Sequence, residues 1–309
     1  MSDYYDSLRE RAERAFQQNP IANFQNRVRA IIGPAAAQVQ EAAQEAIDAL
    51  NNGDKPTPMQ LAALELAIRT MRPAPLSKNR ELPDLEPDIA SNFADWEDFR
   101  GSVKPFLYSI GRIDMISGKG VGTGFLISDN LLVTNKHVLD VISYGTNLLQ
   151  KGQAIVRFRE EYNSPTEKAV GIIGVVAVHP TLDMSLLRIE DRTFEDERRP
   201  LTIDTEEMKR GQAVVAVGYP FEDKVRNPLF VSALFGDRFG VKRAAPGEII
   251  GASGQAIFHD CSTLGGNSGS PILSMDKTRV VGVHCEGIFM YRNEAVNGQS
   301  LSDFVNPHL

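Results

Sequence analysis

TLGGNSGSPI, residues 263–272, gathers Gly265, Gly266 and Gly269 around Ser268. Small residues let a backbone bend sharply while leaving one hydroxyl exposed. Amide N–H groups that converge on a point can stabilise the oxyanion formed when a hydroxyl attacks an amide carbonyl, and Gly266 and Ser268 are the expected donors. A serine hydroxyl is a weak nucleophile near neutral pH and needs a base. TNKHVL at 134–139 offers His137 at the end of an apolar strand, and TLDMSLLRIE at 181–190 offers Asp183 just before another, where a carboxylate could fix the imidazole tautomer. The order along the chain is His, Asp, Ser.

Outward from these motifs the chain has two textures. From about residue 100 it consists of short runs rich in Val, Ile and Phe, separated by glycine and polar turns, such as PFLYSIGRI, GVGTGFLI, VGIIGVVAV, QAVVAVGYP and RVVGVHC. That texture predicts an all-β barrel or sandwich. Residues 2–72 instead carry alanine and apolar positions at three- and four-residue spacing through 35–50 and 59–71, which predicts helices. For the last helix, Thr57 is the expected cap, Pro58 the first position and Gln60 the capping-box partner. Arg69 and Arg72 suit its negative end before Pro73. RPAPLSKNRELPDLEPD, starting at Arg72, is proline-rich and acidic and predicts an extended connection. The expected organisation is a helical domain over 1–75, a linker over 76–99 and a β domain over 100–309.

The chain has 309 residues, a formal charge of −7 and a pI near 5.4. This leaves no broad basic field for nucleic acid, and Arg198–Arg199 and Lys242–Arg243 read as solvated loops. No apolar run approaches the roughly 18 residues of a bilayer span. The charged start, MSDYYDSLRERAERAF, lacks the pattern of a secretory signal, and Cys261 and Cys285 are the only cysteines. A bacterial cytosol is the expected compartment.

GTGFLI before TNKHVL, then DMSLLRI and GGNSGSP, resembles the chymotrypsin-like serine peptidases over about residues 100–305, especially bacterial members similar to the glutamyl endopeptidases. An α/β-hydrolase would show G-x-S-x-G and the order Ser, Asp, His. The resemblance implies a mainly β fold, a chymotrypsin-like double β-barrel after an N-terminal helical bundle. It also implies a catalytic triad of His137, Asp183 and Ser268 in the crevice between the barrels, protein or peptide substrates, and no metal or organic cofactor.

The resemblance further assigns Ser262, Thr263 and His284 to the pocket that receives the residue before the scissile bond. Ser262 lies where an aspartate would select Arg or Lys, so trypsin-like selection is not expected. Thr263 and His284 match the pocket of the glutamyl endopeptidases, which suggests a preference for Glu or Asp. Asn267 replaces the aspartate that pairs with a newly cut N-terminus in vertebrate-type zymogens, and Asn cannot form that ion pair. Control is therefore assigned to the helical part or the tether, with residues 1–75 as a surface for an activator or adaptor, by analogy with effector proteases of bacterial antiviral defence and regulated cell death. The alternative is an inactive relative that serves as a binding protein or scaffold.

Overall fold

A computed structural model of the chain describes residues 2–16, 29, 33–164, 169–191, 198–222, 228–288 and 292–309. Of the helical reading of 2–72, residues 17–28 and 30–32 lie outside the described residues. Three helices occupy the rest: α1 (Ser2–Phe16), α2 (Ala36–Asn51) and α3 (Pro58–Thr70). Each buries one stripe: Leu8, Ala12 and Ala15 on α1, Ala43, Ala46 and Leu50 on α2, and Ala63, Leu64, Ala67 and Ile68 on α3. The alanines keep side chains short where helices meet, so backbones can approach closely. The capping box at α3 forms as expected: the Gln60 N–H donates to Thr57 Oγ1 at 3.3 Å, and the Thr57 N–H donates to Gln60 Oε1 at 2.7 Å.

Residues 73–97 differ from the expected loose connection. Leu82, Leu85, Ile89, Phe93 and Trp96 are buried, the short helices α4 (Pro87–Ala90) and α5 (Trp96–Val103) form here, and Leu76 bridges to Arg243. The Trp96 indole N–H donates to the Pro83 carbonyl at 3.1 Å, which satisfies a buried donor. Prolines and acids dominate the composition, but the apolar residues between them recur every three or four positions, enough to bury one side.

Among the described residues twelve strands follow, in two closed antiparallel barrels. The first contains β1 (Ile110–Met115), β2 (Gly120–Leu126), β3 (Leu131–Thr134), β4 (Ala154–Arg157), β5 (Val170–Val178) and β6 (Ser185–Ile189), with α6 (Lys136–Ile142) after β3. The second contains β7 (Ala213–Gly218), β8 (Arg243–Ser253), β9 (Ala256–His259), β10 (Pro271–Ser274), β11 (Val280–Ile288) and β12 (Arg292–Asn297). Helix α7 (Pro228–Phe235) lies before β8, and α8 (Gly298–Val305) follows β12. The strand orders, β1-β2-β3-β6-β5-β4 and β10-β11-β12-β9-β8-β7, are the same circuit drawn twice. Closure leaves no open sheet edge.

The helices and barrels share apolar contacts. One buried cluster runs from Leu8, Leu64 and Ile68 through Trp96 and Phe99 to Val215, Leu273 and Val283. Arg69 lies in the last turn of α3 and Arg72 just past it, and both side chains are buried against the second barrel.

Phe99 is fully buried in that cluster. Phe99→Ala is expected to reduce the unfolding free energy by about 3–5 kcal/mol. In urea, followed by circular dichroism and Trp96 fluorescence, the helical and β signals should move together. Two separated transitions would mean that the helices and barrels unfold independently.

Candidate active site

The register of the first barrel brings two of the sequence-identified residues together. Thr134, the last residue of β3, pairs with Ser185, the first residue of β6, so the chain just beyond each strand meets its counterpart. His137 lies in the first turn of α6 and Asp183 two residues before β6. The His137 ring Nδ1 is 2.6 Å from Asp183 Oδ2, and the His137 backbone N–H donates to Asp183 Oδ1 at 3.0 Å. Burial pushes the Asp183 carboxyl up, but the bonds from the His137 ring and backbone, with the ring's charge, outweigh it and hold the carboxyl below its ordinary value. Asn135 braces the pair: its side-chain amide donates to the Asp183 carbonyl at 2.7 Å.

Ser268 comes from the turn that leads into β10. Gly266 and Gly269 have φ of +92° and +85°, in the region that favours glycine. A Cβ on Gly266 would overlap the Tyr219 carbonyl and Phe221, and one on Gly269 would overlap Thr123 and Thr134. Both glycines are therefore required by dihedral and by space. The N–H groups of Asn267, Gly269 and Ser270 donate to the carbonyls of Leu264, His284 and Asn267 respectively. Among the described residues the N–H groups of Gly266 and Ser268 have no acceptor. The Ser268 hydroxyl donates to the Cys285 carbonyl at 3.5 Å, and no hydrogen bond joins it to His137 among the described residues.

Thr123, inside GTGFLI on β2, ties this turn to the first barrel. Its N–H donates to the Ser268 carbonyl at 2.8 Å and its hydroxyl to the Gly266 carbonyl at 2.7 Å. The sequence reading did not single it out. Its only signal is a polar residue between two glycines in an otherwise apolar strand.

His137, Asp183 and Ser268 line a cleft of about 710 Å³, together with Thr263, His284, Cys285, Glu286 and Glu294. Ser262 is not in that lining. Its side chain is buried, and its hydroxyl donates to the Arg72 carbonyl at 2.5 Å, toward the helices and away from the cleft. The Thr263 hydroxyl donates to Asn293 Oδ1 at 2.8 Å. His284 is buried with its Nδ1 3.2 Å from His259 Nε2, and burial, followed by the charge of His137, pushes its pKa down to about 3. It is neutral near pH 7. Glu286 and Glu294 are directly opposite on β11 and β12, and neither has a cationic partner among the described residues. Cys261 and Cys285 are free, and burial pushes both thiols up to about 12, which leaves little thiolate.

Comparison with known proteins bears on the fold and the family. Two β-barrels and a likeness to the crystal structure of Deg5 accord in fold: the TM-score is 0.50, with 20% identity over 72% of this chain and 95% of that one. Glutamyl endopeptidase of Staphylococcus epidermidis is 25% identical over 193 residues, 61% of this chain. The match spans 61% of the length of that relative. A protein of Lysobacter enzymogenes named "Probable serine protease" is 27% identical over 270 residues, 73% of this chain and 69% of its own. The family model described as "Trypsin-like peptidase domain" matches residues 122–283, just over half of the chain, from the glycine before Thr123 to the residue before His284. On that match the chain belongs to the trypsin-like peptidase family.

Proposed function

We propose that the chain is a serine endopeptidase that cuts protein or peptide substrates through an acyl-enzyme. The observation that supports this most is the 2.6 Å contact between His137 and Asp183 in the cleft that also contains Ser268. A carboxylate at Nδ1 keeps the proton on that nitrogen and leaves Nε2 bare as a base. The Ser268 hydroxyl leaves the Cys285 carbonyl by rotation about Cα–Cβ, a change between staggered rotamers. Catalytic hydrogen bonds are often long before substrate arrives.

The reaction then balances as acyl transfer. Oγ of Ser268 bonds to the scissile carbon as its proton passes to His137 Nε2, and the carbonyl electron pair moves onto oxygen. The unsatisfied N–H groups of Gly266 and Ser268 receive that oxyanion. Collapse breaks the C–N bond, and His137 returns the proton to the departing amine. Water, deprotonated by His137, cleaves the ester by the same route.

A preference for Glu or Asp before the cut draws on Thr263 and His284. Charging His284 would mean raising its pKa from about 3 to above 7, which requires about 5 kcal/mol of interaction with the substrate. A neutral donor avoids that cost. If the His259 Nε2–H donates to His284 Nδ1, the His284 Nε2–H is left to donate to a carboxylate. The partnerless His259 Nδ1 is then a bare lone pair and not a stranded N–H. Residues 1–75 are, in this reading, the part through which an activating protein acts, in a reducing cytosol. The competing reading, a crevice that binds peptide without cutting it, draws on the Ser268–Cys285 bond.

A fluorophosphonate probe is expected to label the parent at Ser268 and to spare Ser268→Ala and His137→Ala. A parent that binds peptide yet stays unlabelled would favour the binding protein. Asp183→Asn is expected to lower kcat by about 10⁴-fold through the wrong tautomer, measured on any peptide the parent cuts.

Cleavage sites in a diverse peptide library, mapped by mass spectrometry, test the pocket. His284→Ala should weaken cutting after Glu and Asp by ten-fold or more and spare other sites. An unchanged site profile would remove His284 from specificity.

A further inference from the structure

Six ionic side chains are buried where the helices meet the second barrel. Arg11 is on α1, Glu65 and Arg69 are on α3, Arg72 lies just past α3, Glu248 is on β8, and Asp260 directly follows β9. Their exposures are 1%, 2%, 6%, 1%, 5% and 0% respectively. Three are cations and three are anions, and the part-buried Arg14 adds a bidentate pair to Glu248 at 2.9 Å from the rim.

Asp260 is its centre. Oδ2 accepts from Arg11 Nε at 3.2 Å and from Arg72 Nε at 3.0 Å, while Oδ1 accepts from the Glu248 backbone N–H at 2.8 Å. Arg11 also forms a bidentate pair with Glu65, at 2.9 and 3.1 Å. Arg69 behaves differently. Its Nη1 donates to the main-chain carbonyls of Asp260 at 2.8 Å and Cys261 at 3.2 Å, and its Nε has no partner. A buried guanidinium spent on two carbonyls is a poor choice for stability alone, because it leaves a donor unsatisfied. It does fix the path of those two peptide units. Ser262 completes the set by donating its hydroxyl to the Arg72 carbonyl at 2.5 Å.

Residues 260, 261 and 262 are thus each held by the helical part. Residues 260–270 belong to no strand; Asn293 on β12 donates to the Cys261 carbonyl at 2.7 Å, the His284 carbonyl on β11 accepts from the Gly269 N–H at 2.9 Å, and Thr123 ties the far end to the first barrel. Asn267 braces the turn only from within, accepting from the Leu264 N–H at 3.2 Å. No ion pair anchors the turn at Asn267, whereas the anchor at Asp260 comes from α1 and α3.

We propose that Arg69, with Arg11 and Arg72, is a positioning residue for the turn that carries Gly266 and Ser268. Docking of the helices onto residues 260–262 sets this turn in its reactive arrangement, so the helical part is a built-in activating element of the peptidase. This deepens the peptidase reading above and rests on it. An agent that lifts α1 and α3 from Asp260 would switch the site off without touching it.

The test compares the full chain with Arg69→Met, Arg69→Lys and the milder Ser262→Ala. Leu50→Ala, on α2 and away from residues 260–262, is the control for general destabilisation. Two readouts are taken at a temperature where circular dichroism reports every variant folded: the rate of fluorophosphonate labelling at Ser268, and deuterium exchange of the 260–270 peptide.

Arg69→Met is expected to label at least ten-fold more slowly and to exchange faster. Arg69→Lys, which keeps a donor, should recover most of the rate, Ser262→Ala should slow it several-fold, and Leu50→Ala should match the parent. Equal labelling and equal exchange in parent, Arg69→Met and Ser262→Ala would overturn the proposal. If Arg69→Met does not fold, the same comparison on Ser262→Ala decides. A parent that is never labelled defeats the peptidase reading, while exchange of the 260–270 peptide still decides whether Arg69 orders the turn.

Discussion

A carboxylate sealed from water must find compensating charge inside the protein, and Asp260 finds it in arginines that precede it by 188 and 249 residues. Breaking one partner of such a set leaves an uncompensated buried charge, which typically costs about 3–5 kcal/mol. The burial and the pairing therefore stand or fall together. Because Asp260 also accepts from the Glu248 backbone, the same carboxylate fixes how β8 meets the end of β9. The position of α1 and α3, the closing of the second barrel and the course of the turn toward Ser268 meet at one side chain.

The first barrel imposes its own constraint on the cleft. Pairing of Thr134 with Ser185 delivers His137 and Asp183 to each other, and Thr123 on the neighbouring strand holds the carbonyls of Gly266 and Ser268. The second barrel supplies the turn itself, and two glycines let it pass under Tyr219 and beside Thr123. Neither barrel contains the constellation alone. Its geometry depends on the seam between them, where the Thr123 hydroxyl also accepts from the Tyr219 N–H at 3.2 Å.

Much of this was legible because it is local. Short β-branched runs announced strands, Thr57-Pro58-x-Gln60 announced a capped helix, and glycines about Ser268 announced a sharp turn. What stayed hidden was long-range. Arg69 and Arg72 satisfied a local rule for helix ends, and nothing in their neighbourhood points to Asp260. The family resemblance assigns Ser262 to the pocket, but the direction of a hydroxyl depends on what packs behind it, here the end of α3. Residues 73–97 were read by composition, which weighs every proline and acid equally. The spacing of Leu82, Leu85, Ile89, Phe93 and Trp96 carried the packing instead.

The separation between Arg11 and Asp260 also bears on how the protein is made. A ribosome extends chains at about 5–20 residues per second. The 249 residues between them imply that Arg11 waits tens of seconds at the slow end for Asp260, with Glu65, 54 residues downstream, as its earlier counter-charge. The turn that carries Ser268 emerges only after Asp260, so the nascent polypeptide holds no completed cleft while most of its length is still being translated.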